Sequence, residues 1–167
     1  MIIIVSGTPG TGKTVIAKFI AKRLPAQYID VNALIKDHHL SRGYDRRLKT
    51  RIVNIERLNR FLIQLIRNAR KTKHRRNLVI DSHLGHYLPR RYVDLCFITT
   101  CPLKTLRQRL MRRRYSKEKI QENINAEIFE VCLLEAASRK HKVVQVDTSP
   151  SSNWRLQVTK IIKTKKI

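Results

Sequence analysis

The sequence predicts an α/β fold with a central parallel sheet, and three observations carry that expectation. Ile2-Ile3-Ile4-Val5 is an unbroken β-branched run, the pattern of a strand buried on both faces of a parallel sheet. Short apolar runs then alternate with amphipathic segments along the chain. Between the first run and the first such segment lies a glycine-rich stretch, GTPGTGKT, at residues 7–14.

The remaining elements follow in order. Lys13 to Leu24 reads as a helix with Val15, Ile16, Phe19, Ile20 and Leu24 near one stripe, and Gln27 to Val31 as the second strand. The spacing predicts a long helix from Arg51 to Thr72. It puts Ile55, Leu58, Leu62, Leu65, Ile66 and Ala69 on one face, with Arg57, Arg60, Arg67 and Arg70 elsewhere on the wheel. Leu78 to Asp81 and Val93 to Thr99 are the third and fourth strands. Pro102 suits the first turn of a helix running to about Arg114, because its missing N–H would have no intrahelical partner there. Ser116 caps a single helix running to about Ser138, with Glu118 favourable near its positive end. Val143 to Val146 is the fifth strand, and Ser149 followed by Pro150 opens a terminal helix.

Composition bounds what such a fold is for. The 167 residues suit one domain, and a 42% hydrophobic fraction is too high for a disordered basic tail. No run of uncharged apolar residues is long enough to span a membrane, and the apolar N-terminus lacks the basic region and cleavage site of a signal peptide. The cysteines Cys96, Cys101 and Cys132 are odd in number and form no C-x-x-C pair, which argues against a disulfide framework and points to the reducing cytoplasm. With 36 Lys and Arg against 12 Asp and Glu, the net charge is +24, which predicts polyanionic partners.

Residues 7–14 satisfy G-x-x-x-x-G-K-[ST], in the required setting between a buried strand and a helix. Glycines let successive backbone N–H groups turn inward on phosphate oxygens, and the helix that follows points its positive end at the same anion. Gly10, Thr11, Gly12, Lys13 and Thr14 are therefore candidate nucleotide-binding residues. Lys13 is placed to reach the β and γ phosphates, and Thr14 to give its hydroxyl to Mg2+.

Asp81 ends the apolar run Leu78-Val79-Ile80. A carboxylate at the C-terminal end of a buried strand lies beside such a loop and can hold Mg2+ through water; the alternative is a helix or turn cap. His83, two residues on, can orient a water or accept a proton, or it can be an exposed histidine without a chemical duty. His86 reads as a surface residue. In LKTLRQRLMRRRY, Arg109 and Arg113 stand i, i+4 on one helix face, where two guanidiniums can clamp a polyphosphate or simply face solvent.

A bound nucleotide needs few cations. The rest gather in Arg67-Arg70-Lys71-Lys73-Arg75-Arg76, at the end of the long helix, and in Lys160-Lys163-Lys165-Lys166. This surplus suits rRNA or another polyanion, with charge kept for solubility as the alternative. Aromatic residues are 6% of the chain, so phosphate-backbone contact is expected rather than base stacking. Glu118, Glu122, Glu127, Glu130 and Glu135 fall on the one helix after Ser116, able to receive a basic tail or to pair locally.

Taken together, GTPGTGKT, YIDVNAL, RGYD, LVIDSH, LPRRY and RLMRRRYSKEKIQENINAEIFEV resemble a known family across nearly the whole chain. It is the adenylate-kinase-like small-subunit ribosome assembly ATPases, archaeal relatives of the coilin-interacting nuclear ATPase, also called adenylate kinase isoenzyme six. The resemblance implies a P-loop core of five parallel strands of the nucleoside monophosphate kinase type, flanked by helices. A monophosphate flap would lie at about 30–53 and a short lid at about 108–118. It implies transfer of the γ-phosphoryl of Mg·ATP to AMP, together with ATP hydrolysis, in late maturation of the small-subunit rRNA. The implied partner is a platform ribosomal protein. It places Gly10, Gly12, Lys13, Thr14 and Val15 along the ATP phosphates, and assigns Asp81 the acidic Mg2+ role, His83 the histidine linked to hydrolysis, and Arg113 the lid arginine, with Arg109 nearby. The chain departs from the family in carrying Lys36 where a monophosphate-binding arginine is common, and in lacking a lysine around Ser149-Pro150-Ser151. It is also far more basic than the eukaryotic members. A metabolic kinase and a slow ATP-switched RNA- and protein-binding chaperone are the competing expectations.

Overall fold

The computed structural model describes residues 1–71 and 76–164. Within the predicted long helix and the basic stretches, Thr72, Lys73, Arg75, Lys165 and Lys166 lie outside the described residues.

Five parallel strands form one sheet in the order β2-β5-β1-β6-β7. They are β1 (Ile2–Gly7), β2 (Ala26–Asp30), β5 (Asn77–Asp81), β6 (Leu95–Thr100) and β7 (Val143–Asp147). The central β1 is buried along its whole length. Its side chains alternate between two apolar layers, as strand geometry requires. Ile2 and Ile4 pack with α3 (Ile55–Lys71), whose Leu58, Leu62 and Ile66 are buried. Ile3 and Val5 pack with α1 (Lys13–Arg23) and α7 (Trp154–Thr164). The expected parallel α/β sheet is therefore present, with helices on both faces.

Several boundaries differ from the sequence reading, each for a local reason. Val31 is not strand but the start of α2 (Val31–Asp37), because the Asp30 carboxylate accepts from the Asn32 and Ala33 N–H groups. Arg51 to Val53 are not helical. They belong to β4 (Thr50–Val53), which pairs antiparallel with β3 (Ser41–Asp45) in a separate two-stranded sheet. Thr50, Ile52 and Val53 are β-branched, and the Asn54 side chain, accepting from Arg57 N, restarts the chain as α3. The fourth sheet strand begins at Leu95 rather than Val93, after 3-10 turns at Gly85–Tyr87 and Arg90–Tyr92.

After α4 (Leu103–Arg112), the single helix expected over 116–138 is two: α5 (Lys117–Ile128) and α6 (Val131–Ser138). Ser116 caps α5 as expected, accepting from Lys119 N. The break falls at Glu130, which takes a left-handed conformation at φ 49°. The bend directs α6 onto the sheet, with Ala136 in the core. The terminal helix starts at Trp154, not at Ser149. Asp147 accepts from the Ser149 N–H and hydroxyl, and Ser149 O from Ser152 N, so these residues form a turn.

Candidate functional site

The site lies at the C-terminal end of β1, with β5 and β6 on either side of it. Gly7 ends the strand at φ 136°, and a Cβ there would stand 2.5 Å from Thr99 O, so only glycine fits. Gly12 sits at φ 96° immediately before α1, turning the loop into the helix. Lys13 folds back over the loop and donates to Gly7 O at 2.9 Å and Thr8 O at 3.0 Å. Loss of water around its ammonium lowers its pKa to about 8, partly opposed by the Asp81 carboxylate. Thr11 is turned inward. Its hydroxyl donates to Thr8 O at 2.7 Å and lies 2.6 Å from the Thr99 hydroxyl, so its side chain shapes the loop. Val15 is exposed at the mouth.

Asp81 closes β5 directly across from the start of α1. Its Oδ2 accepts from the Thr14 hydroxyl at 2.6 Å and from the Tyr28 hydroxyl at 2.9 Å. These hard oxygen donors are the class Mg2+ takes. Among the described residues no group of three His, Cys, Asp or Glu converges elsewhere to compete. The donor set fits Mg2+ completed by phosphate and water oxygens. Burial, followed by the nearby Lys13 charge, lowers the His83 pKa to about 4, so the imidazole is neutral at neutral pH.

The two arginines part company. Arg113 ends α4 and faces the cleft of about 330 Å³ that also holds Lys13, Thr14, Asp81, His83, Tyr115 and Lys119. Arg109 is engaged with backbone and hydroxyl, donating to Thr148 O at 2.8 Å, Thr148 Oγ1 at 3.0 Å and Gly10 O at 3.4 Å. The Thr148 hydroxyl in turn donates to Thr11 O at 2.6 Å, so Arg109 and Thr148 together brace the loop. Beside it opens a second cavity of about 410 Å³, walled by Gly12, Val15, Arg109, Arg113, Thr148 and Trp154, so both arginines border it. Across the cleft, Arg47 pairs with Glu122 at 3.0 Å and Lys119 donates to Lys49 O at 3.2 Å, linking the β3–β4 hairpin to α5.

His86 is not a surface residue. It is buried, with Nδ1 2.8 Å from the Ser6 hydroxyl and Nε2 2.8 Å from Glu135, which also accepts from the Tyr87 hydroxyl. The acids after Ser116 are likewise not on one helix: Glu118, Glu122 and Glu127 lie on α5, Glu130 at the break and Glu135 on α6. Glu122 faces the hairpin, Glu127 accepts from Cys101 N at 3.2 Å, and Glu135 reaches the core side of the sheet. Sequence reasoning missed Tyr28, Thr148, Trp154 and Lys119. No spacing rule marks them, because they arrive from β2, the end of β7, α7 and α5 only on folding.

A glycine-rich loop between a central strand and a helix, with a lysine over the loop and a carboxylate against the following threonine, defines a P-loop nucleotide-binding domain. Residues 3–130 match the model for the AAA domain family. The chain belongs to that family, and it is similar to archaeal proteins that carry the name "Putative adenylate kinase". One from Thermococcus onnurineus is 37% identical over 153 residues, covering 91% of this chain and 77% of its own length. One from Pyrococcus abyssi is 36% identical over 150 residues, covering 89% and 76%. Among solved structures, TT1252 from Thermus thermophilus aligns over 100% of this chain and 98% of its own with a TM-score of 0.62 and 15% identity. Deoxyadenosine kinase from M. mycoides with bound dATP aligns over 100% of both chains with a TM-score of 0.55, also at 15% identity. At such identity these two speak for the fold alone. Among the described residues no helix is long and apolar enough to cross a membrane.

Proposed function

We propose that this protein transfers the γ-phosphoryl of Mg·ATP to a nucleoside monophosphate, AMP, and also hydrolyses ATP. The convergence of Lys13, Thr14, Asp81, His83 and Arg113 on one cleft carries the reading. Backbone N–H groups of the loop at Gly10 and Gly12, with the N-terminus of α1, bind the phosphates of ATP. Lys13 exchanges its two carbonyl partners for phosphate oxygens. Thr14 and Asp81 would hold Mg2+, which would supply further positive charge at the phosphates. Arg113 adds charge from the lid side, at about 108–118, as negative charge redistributes in transfer. Neutral His83 can accept a hydrogen bond from an attacking water and orient it. The segment at about 30–53, α2 with the β3–β4 hairpin, forms the flap over the acceptor. Arg109 acts on the site by bracing Gly10 and Thr148. Measuring ATP turnover alone and with AMP tests this reading: ADP formation should rise with AMP, and no turnover under either condition would overturn it.

A second reading adds a place of action, late maturation of the small ribosomal subunit with a platform ribosomal protein and rRNA. The motif resemblance supports it, and so does the state of the charge. Among the described residues, Arg47–Glu122 is the one ion pair between a Lys or Arg and a carboxylate, in a chain with 36 Lys and Arg. ATP-dependent release of the platform protein, without transfer to AMP, would favour the switched chaperone over the kinase. Turnover with AMP and no ribosomal contact would favour a metabolic kinase.

A further inference from the structure

Because all five sheet strands run in one direction, the molecule has two chemically distinct ends. The C-terminal strand ends carry the nucleotide site. The N-terminal strand ends, with the last turn of α3 and the α6–β7 connection, form the base. An organised group of arginines stands there. Arg67 donates to the Tyr92 hydroxyl at 3.1 Å, and its guanidinium also faces the ring at 5.9 Å. Arg91 lies over the same ring at 5.1 Å, and Arg70 donates to Tyr92 O at 3.3 Å. Arg90 donates to Val93 O at 3.1 Å. Arg139 covers Tyr87 at 4.6 Å, and both Arg90 and Arg139 lie near enough to His141 to disfavour its charged form.

Two acids stand near this group, and neither forms an ion pair with it among the described residues. Asp94 accepts from Ile2 N at 2.6 Å, and Glu135 from His86 and Tyr87. The arginines are thus held in place by aromatic rings and carbonyls rather than by carboxylates. Such fixed planar forks match phosphate oxygens and lose little freedom on binding. None of the exposed large hydrophobic residues belongs to this group, which disfavours a membrane surface.

We propose that the arginine cluster around Tyr92, at the base of the sheet, is a docking surface for the phosphodiester backbone of RNA. It is separate from the nucleotide cleft and engages RNA while ATP is bound. The choice of RNA rests on the ribosome-assembly reading above; the site itself rests on the geometry.

Fluorescence anisotropy of the full chain with a labelled RNA hairpin tests this. The Arg70→Gln/Arg91→Gln variant should bind about tenfold more weakly at physiological salt, with a log–log salt slope shallower by about 2. Arg91→Gln alone, which removes an exposed contact with Tyr92 and no backbone partner, should weaken binding in the same direction while keeping the melting temperature. Saturating ATP should leave the hairpin affinity of the unmodified chain unchanged. Wild-type-like binding by both variants, displacement of RNA by ATP, or equally tight binding of polyglutamate would each overturn the proposal. The two readings fail separately: absent hairpin binding with contact to the platform ribosomal protein intact removes this surface alone, and hairpin binding without any contact to that protein removes the ribosome-assembly reading alone.

Discussion

The Thr14 hydroxyl donates to Asp81 Oδ2 at 2.6 Å, joining the first turn of α1 to the end of β5. Tyr28 donates to the same oxygen from β2 at 2.9 Å, so three elements fix one carboxylate. Asp81→Asn should raise the Mg2+ concentration needed for half-maximal turnover by about 10- to 100-fold. Tyr28→Phe, which removes only the supporting hydrogen bond, should shift it in the same direction and by less. A Mg2+ titration of turnover measures both, and an unchanged midpoint in Asp81→Asn would remove Asp81 from the metal site.

Lys13→Ala should abolish ATP turnover. The ammonium stands over the loop on Gly7 O at 2.9 Å and Thr8 O at 3.0 Å, where the phosphates of a nucleotide would lie. Retained turnover in this variant would refute the phosphate-loop assignment.

His83→Ala should lower hydrolysis by about 100-fold and change ATP affinity little, as expected of a group that positions water. Turnover and nucleotide binding measured on the same protein separate the roles. Equal losses in both would make His83 structural.

Three histidines predict acid sensitivity. Burial lowers the pKa of His83, His86 and His141 below the ordinary 6.5. Between the folded and unfolded values the unfolded chain binds more protons, so stability is full above about pH 6.5 and falls as the pH drops below it. Each histidine contributes at most about 1.4 kcal/mol per pH unit in that window. Urea unfolding at pH 7.5 and 5.5 should show the lower midpoint at pH 5.5; equal midpoints would count against buried neutral imidazoles.

Glu135→Ala should destabilise the fold by about 1–3 kcal/mol, because it leaves buried His86 Nε2 without its partner. Glu135→Gln retains an acceptor and should lose less. Chemical denaturation of the pair decides, and equal losses would show that the hydrogen bond contributes nothing beyond the charge.

The elements most legible in the sequence were those whose burial is continuous. Ile2 to Val5 and Leu78 to Asp81 read as strands because both faces are covered, and the phosphate loop because its chemistry is local. What escaped depends on partners far along the chain. His86 looked superficial because Ser6 and Glu135, which bury it, are 80 and 49 residues away. The break at Glu130 left no glycine or proline as a marker, and the helical periodicity ran straight through it. Arg109 and Arg113 shared a helix face on paper. Folding gave the first to Thr148 and the second to the cleft, because α4 ends between them.

The bridge from the β3–β4 hairpin to α5 has a consequence for access. It consists of Arg47–Glu122, whose side chains are 65% and 47% exposed, and the Lys119–Lys49 carbonyl contact. Solvent screening leaves such a clasp worth about 1 kcal/mol, roughly a fivefold bias toward the shut arrangement. The hairpin and α5 therefore part by thermal fluctuation alone. The clasp also loosens as ionic strength rises, so salt shifts how often the two elements separate.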